Sequence, residues 1–300
     1  MDTLKAENYI KTNARPLENA LFNYYFGNGT RQQVVYKIMN FQNDDCGFGN
    51  AIEPDNWNPN SNPIATNDAI FTLFRVGALD EKSKLTDRIV HYLSSHDSYD
   101  KDKKLWLFAV ESNKDFPHAI WWEKHGDGIR DYNPSVSLGA FLNCFSENRN
   151  DDGMVLNAFS ALYEQSENKE MIADDLKCYL LAYELMERHN IHVISSKFNA
   201  KNLLCEKLEQ VICTDISKYA TEYVPKPSDF FCGVFAQFIT DKIRPLIKAE
   251  IELLSEIQLE DGGFDISWQW YTDYKEFEQA RNIWRPRITL DKLLFYRYNI

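Results

Sequence analysis

The chain lacks an excess of basic charge, a long apolar run and the short signatures of the commonest active sites. Its 300 residues hold 33 lysines and arginines against 45 aspartates and glutamates, a formal net charge of −12. That balance offers no basic footprint to nucleic acid or to an anionic membrane surface, so no nucleic-acid partner is expected. No uninterrupted apolar stretch approaches the roughly 20 residues that span a bilayer, and no transmembrane segment is expected. The start, MDTLKAENYIKTNARPLENALF, is without the basic-then-apolar layout of a secretory signal. Six cysteines, at 46, 144, 178, 205, 213 and 232, come without tight pairing and read as reduced, mostly buried thiols. A cytoplasmic location is the expectation. Also missing are a phosphate-cradling Gly-rich loop, Cys-x-x-Cys, His-Glu-x-x-His and Gly-x-Ser-x-Gly. The histidines of HNIH, His189 and His192, have the spacing of a helical metal pair but no third ligand beside them. Neither a metal nor a cofactor is expected.

Apolar and aromatic residues are plentiful. A hydrophobic content of 44%, with 14% aromatic, is ample for a sizeable core. In DKIRPLIKAEIELLSEIQ, Ile243, Leu246, Ile247, Ile251, Leu254 and Ile257 recur at steps of three and four, one face of a helix. ENKEMIADDLKCYLLAYELMERH and NAKNLLCEKLEQVI behave similarly, and no alternating series is long enough for a sheet. The fold class is therefore all-α.

The helices fall into two kinds. Amphipathic ones with a charged face are read over 30–42, 80–95, 153–165, 199–214 and 242–258. Ones apolar on most sides are read over 63–76, 134–145, 227–239 and 287–297. Three of the second kind start at Asn62-Pro63, Asn133-Pro134 and Lys226-Pro227, where proline suits the first helical position and asparagine can cap. Two kinds in alternation predict an inner and an outer layer. Hairpins recurring at about 40–50 residues predict about five or six of them, closed into one barrel as a single domain over 1–300.

A short pattern occurs twice. FQNDDCGFGN (41–50) and IQLEDGGFDI (257–266) align as Gln-x-acid-Asp-x-Gly-Phe, each at the end of an expected outer helix. Gly47 and Gly49 supply backbone angles closed to other residues, and Asp45 can bond nearby N–H groups, so the repeat favours a structural turn. The two copies stand about five hairpin periods apart and become neighbours if a ring closes. They resemble the Gln-x-x-Asp-Gly-Gly-Phe/Trp turns of the α/α-toroid superfamily, which holds squalene and other class II terpenoid cyclases and protein prenyltransferase β subunits. Between them the match degrades to SSHDSYDKDKKLW (94–106) and NRNDDGM (148–154). EPDNWNPNSNPIAT and FPHAIWWEKHGDG look like a bacterial prenyltransferase-like branch of that fold.

The resemblance implies a toroid with an aromatic-lined cavity for an apolar or isoprenoid-like small molecule. The chain departs from the family's chemistry. It has no Asp-x-Asp-Asp, the motif that keeps a cyclase acid protonated. Asp44-Asp45, Asp151-Asp152 and Asp174-Asp175 all lack the third acid of Asp-Asp-x-x-Asp. Asp44 stands two residues before Cys46, the Asp–Cys separation of a prenyltransferase zinc site, but Gly262 is the counterpart of Cys46 in the second copy.

Two loops concentrate the candidate site residues. In AIEPDNWNPNSNPIAT, Glu53 and Asp55 are a possible acid–base pair and Trp57 a wall for a ligand. In FPHAIWWEKHGDGIRDYN, His118 and Asp127 join the polar chemistry. Trp121, Trp122 and Tyr132 of the same segment would bind substrate. Both loops have a bland reading, as a solvated acidic loop and as a core tryptophan with surface histidines. The run DISWQWYTDYKEFEQARNIWRPRITL adds Trp268, Trp270, Tyr274 and Trp284, rings that either stabilise cations, stack on sugars or pack. Besides the isoprenoid reading, a carbohydrate-active α/α barrel with paired carboxylates and a non-catalytic binding module fit these residues.

Overall fold

The computed structural model describes residues 1–147, 152–164 and 171–300, and is helical nearly throughout. In chain order the helices are α1 (Thr3–Asn13), α2 (Pro16–Phe26), α3 (Arg31–Ile38), α4 (Pro63–Arg75), α5 (Lys84–Ser94) and α6 (Ser135–Phe145). There follow α7 (Asp152–Glu164), α8 (Ala173–Arg188), α9 (Val193–Phe198), α10 (Ala200–Val211), α11 (Arg244–Ile257) and α12 (Phe277–Asn299). Among the described residues the strands are one antiparallel pair, β1 (Tyr99–Asp100) and β2 (Leu105–Trp106), with Tyr99 opposite Trp106. The fold is all-α, and among the described residues no helix is long and apolar enough to cross a membrane.

Contacts divide the chain into two compact units. One comprises Met1–Lys37, Cys205–Gln269 and Lys275–Ile300; in it α12 packs along α1, α2 and α11. The other comprises Ile38–Leu204 and Trp270–Tyr274; in it α6 packs on α8, with α4, α5 and α7 also against it.

Local chemistry explains where several helices begin. Asn62 accepts from the Ala65 N–H, with Pro63 in the first turn, and so opens α4 as its sequence predicts. Ser83 and Thr86 make a reciprocal capping box on α5. The other two proline steps differ. Asn133-Pro134 is cis, α6 begins only at Ser135, and the Asn133 amide turns to Asp175. Lys226-Pro227 opens no helix but a single 3-10 turn at 227–229.

The expected helix over 227–239 is the main correction. Gly233 (φ 89°) and Phe235 (φ 62°) lie in the left-handed region, which a right-handed helix excludes. Tyr298 explains the glycine: a Cβ on Gly233 would stand 2.8 Å from its ring. Phe230, Phe231, Phe235 and Phe238 are nevertheless all buried, so the apolar run forms core without forming helix. A second correction concerns α8, read as amphipathic. Every residue from Cys178 to Met186 is buried, and Glu184 is the one charged residue among them. Finally, α12 starts ten residues before its expected N-terminus at 287 and runs through Pro286.

The repeated turn is duplicated bond for bond. In the first copy the Gln42 amide donates to the Cys46 carbonyl at 2.9 Å, and the Gly47 N–H donates to Asp45 Oδ1 at 3.0 Å. In the second, Gln258 donates to the Gly262 carbonyl at 2.9 Å and Gly263 N–H to Asp261 Oδ1 at 3.0 Å. Phe48 N–H donates to Thr66 Oγ1 on α4, and Phe264 N–H to Thr289 Oγ1 on α12. Each threonine in turn donates to the carbonyl four residues earlier in the chain. Both phenylalanines are buried. A tyrosine covers the glycine before each phenylalanine: a Cβ on Gly47 or on Gly263 would come within 2.7 Å of the ring of Tyr92 or Tyr9. Tyr92 lies on α5 and Tyr9 on α1. The first helix of the chain thus stands to the last turn as α5 stands to the first.

Of the other acidic pairs, Asp175 takes both arms of Arg130 at 3.0 and 3.1 Å and is structural. NRNDDGM, with Asp151-Asp152, falls outside the described residues up to Asp151, and the Asp152 side chain is also outside them.

Candidate functional site

Three segments of the second unit are laced together by backbone bonds. Trp57 N–H donates to the Pro117 carbonyl at 3.0 Å, Ala119 N–H to the Asp55 carbonyl at 2.9 Å, and Ile120 N–H to the Trp270 carbonyl at 2.9 Å. Asp55 is 2% exposed, and its Oδ1 accepts from the Trp270 indole at 2.5 Å. Glu53, half-buried, accepts from the Asp55 N–H at 3.4 Å. Trp57 meets Trp270 edge-on at 6.5 Å and donates to the Pro54 carbonyl. His118 is buried, with Nδ1 2.6 Å from the Phe116 carbonyl, so the proton sits on Nδ1. Its Nε2 has no partner, and its ring lies 5.4 Å from Tyr274.

Glu53, Asp55, Trp57 and His118 are therefore brought together, with Trp270 and Tyr274 completing the cluster. The cluster is a latch. The Asp55–Trp270 bond and the three backbone bonds fix the three chain segments against one another, while the His118 Nδ1 bond to Phe116 is local to its own segment. The other four candidates lie elsewhere or play other parts. Asp127 is an exposed loop residue paired with Lys103, whose hydrogen bond holds its carboxyl below the usual range. An acid at that position serves the turn, where it also accepts from the Ile129 N–H. Trp122 is buried and stacked on Phe108 at 4.9 Å, a core ring and not a cavity wall. Trp121 is half-buried. Tyr132, also half-buried, offers its carbonyl to the Val136 N–H at the start of α6.

Residue-type reasoning overlooked the asparagines. Asn56, Asn58, Asn60 and Asn62 alternate, a signal visible in NWNPNSN. Asn56 and Asn58 both donate to Asn113 Oδ1, at 3.2 and 2.9 Å, and Asn113 donates to the Trp122 carbonyl at 2.9 Å. Asn58 also donates to Ser112 Oγ at 2.8 Å. Asn56, Asn58 and Asn113 are at most 5% exposed. A buried polar ladder with its partners satisfied is rigid, and this one joins the loop at 56–62 to the segment around Asn113.

Beside that ladder is an open cleft of about 830 Å³, walled by the same two segments, the first repeated turn and the residues just before β1 and just after β2. Asp44, Asp45, Asp97 and Glu111 line it together with a single ammonium, Lys124. Asn43, Asn50, Asn60, Ser61, Ser98 and Ser112 supply neutral polar groups, and Pro59, Leu107 and Val110 the apolar part. Lys114, hydrogen bonded at 2.8 Å, holds Glu111 below the usual carboxylate range. Asp45 is anchored by the Gly47 N–H and by Ser61 Oγ at 2.6 Å. The position of the Asp44–Cys46 pair does not suit zinc. The Cys46 thiol is buried and faces the Asp44 carbonyl, and among the described residues no group of three or more His, Cys, Asp or Glu could hold a metal.

Compared with protein-family models, with curated proteins and with solved structures, the chain gives no match in any of the three.

Proposed function

We propose that the chain is an α/α toroid of the cyclase and prenyltransferase type that binds a small polar molecule in this cleft and has left the chemistry of those enzymes behind. The toroid part is supported by the duplicated turn, whose hydrogen bonds, threonine and covering tyrosine recur together. The binding part is carried by the composition of the cleft wall. An isoprenoid chain asks for a mostly apolar wall, and here carboxylates, amides and hydroxyls predominate. A glycosidase-like reaction asks for a carboxylic acid whose pKa is raised towards neutrality. Glu111 is shifted the other way by Lys114, so it does not supply that acid.

Thermal unfolding with a panel of small amines, sugars and a prenyl diphosphate tests this. A polar ligand at 100 times its Kd adds about 2.7 kcal/mol of stability. The expected result is a raised Tm with at least one polar compound, abolished in Asn60→Trp, a substitution at an exposed position that fills the cleft. Stabilisation by the prenyl diphosphate alone, undiminished in Asn60→Trp, would contradict the proposal.

A further inference from the structure

Two walls of the cleft are joined by one buried side chain that does not line it. Asn58 is 1% exposed and is not among the lining residues. Its Oδ1 accepts from the Asn60 N–H at 3.0 Å, and its Nδ2 donates to Ser112 Oγ at 2.8 Å and to Asn113 Oδ1 at 2.9 Å. Asn60 and Ser112 both line the cleft, from segments far apart in the chain. The partners fix which way the amide points. Turned over, it would set its oxygen against Asn113 Oδ1 and its NH2 against the Asn60 N–H. The Asn60 wall has a second hold, since Asn43 donates to the Pro59 carbonyl at 2.9 Å and to Ser61 Oγ at 3.0 Å. The Ser112 wall differs: among the described residues Ser112 Oγ has Asn58 as its one hydrogen-bond partner.

Resting on the assignment of the cleft as a binding site, we infer that Asn58 is its positioning residue, setting the spacing at which the Ser112 hydroxyl and the Asn60 side chain meet a ligand. Ser112 takes the Asn58 N–H on its oxygen, and its own O–H remains to donate to a bound molecule. A ligand that bonds both walls finds them already placed, and its affinity is higher by the ordering it does not have to impose. With Asn58 shortened, the Ser112 hydroxyl regains its rotation and the Asn60 N–H turns to water, so the ligand must order both. Asn56 keeps its own bond to Asn113 Oδ1 at 3.2 Å, so the ladder still joins the two segments. Joining the segments and spacing the walls are therefore separable.

Isothermal titration of the full chain with 1,4-diaminobutane and with glucose, beside hydrogen exchange at the Asn60 backbone amide, tests the inference. Asn58→Ala is expected to speed that exchange about tenfold or more and to weaken whichever compound binds by about five- to tenfold. Ser112→Ala cuts the same link at a half-buried residue and leaves the Asn60 bond in place. It is expected to keep Tm and the Asn60 exchange near wild type while weakening binding about three- to fivefold. Because Asn58 acts through Ser112, the double variant is expected to bind no more weakly than Asn58→Ala alone. Thr289→Val strands the Phe264 N–H in the second turn, and is expected to lower Tm and leave affinity unmoved. A merely structural Asn58 would behave as Thr289 does. Unaltered affinity in a folded Asn58→Ala, or in Ser112→Ala, would overturn the positioning role and keep the cleft. No heat with either compound would overturn both.

Discussion

Replacing Glu250 by glutamine is expected to cost about 3–5 kcal/mol of stability, the toll of stranding a buried charge. Glu250 on α11 and Lys292 on α12 are paired at 2.7 Å with side chains only 1% and 8% exposed. Ser228, in the 3-10 turn at 227–229, completes the group. Its hydroxyl donates to Glu250 Oε1 at 2.5 Å, its N–H to Oε2 at 2.9 Å, and Lys292 donates to its Oγ at 2.6 Å. With the carboxylate neutralised, Lys292 keeps a charge that nothing nearby balances at the same distance. Glu250→Leu with Lys292→Met is expected to recover much of the loss, because both desolvated charges go together. The recovery is incomplete, since Ser228 then loses the acceptor of its N–H and its hydroxyl. Lys242 with Glu209 is the control: the lysine is 81% exposed, and Lys242→Ala is expected to leave stability nearly unchanged. Urea unfolding of the three variants measures all these differences. A loss under about 1 kcal/mol for Glu250→Gln would show that the group does not tie the two helices to the turn.

Gly262→Ala is the second large effect expected, about 2–5 kcal/mol, from a strained backbone and an overlap acting together. Gly262 has φ 91°, and an added Cβ would lie 2.5 Å from the backbone carbonyl oxygen of Lys5 on α1. That oxygen cannot give way without moving the helix that covers the turn. The first copy has Cys46 at the corresponding position, with φ 75°. Cys46→Gly relieves a left-handed side chain and is expected to be neutral or to add up to about 1 kcal/mol. The same exchange, run in opposite directions at equivalent positions, should carry opposite signs. Thermal unfolding of the two variants checks this, and equal tolerance of Gly262→Ala would show that the two turns are not equivalent.

The parts of the fold that were legible in the sequence are those whose partners lie within a few residues. Gln42, Asp45 and Gly47 bond within their own turn, as Gln258, Asp261 and Gly263 do, so the repeated string reports its geometry directly. The cap of α4 is equally local. Thr66 and Thr289 belong to the same unit but lie 18 and 25 residues beyond their partners, a spacing that no fixed pattern reveals. The non-helical path of 227–239 is set by the approach of Tyr298 to Gly233, and nothing local to the run announces it. For the site, the loops holding Glu53–Trp57 and His118 stand out in the sequence by residue type, while the partners of those residues lie far along the chain. Asp55 reads as a free acid until the Trp270 indole, 215 residues away, arrives on it. Asn113 is 57 residues from Asn56, and the cleft they border exists only once both segments have folded.

The account's central claim is that ligands enter the polar cleft and that the Asp55–Trp270 cluster is a latch. Amide and indole NMR spectra of the full chain, recorded during titration with the polar compound that raises Tm most, compare the two places directly. The account predicts shifts at Gly47, Ser61, Asp97, Ser98 and Ser112, with the indole signals of Trp57 and Trp270 unmoved. Shifts concentrated on those two indoles and on the His118 amide, with the cleft amides silent, would contradict it.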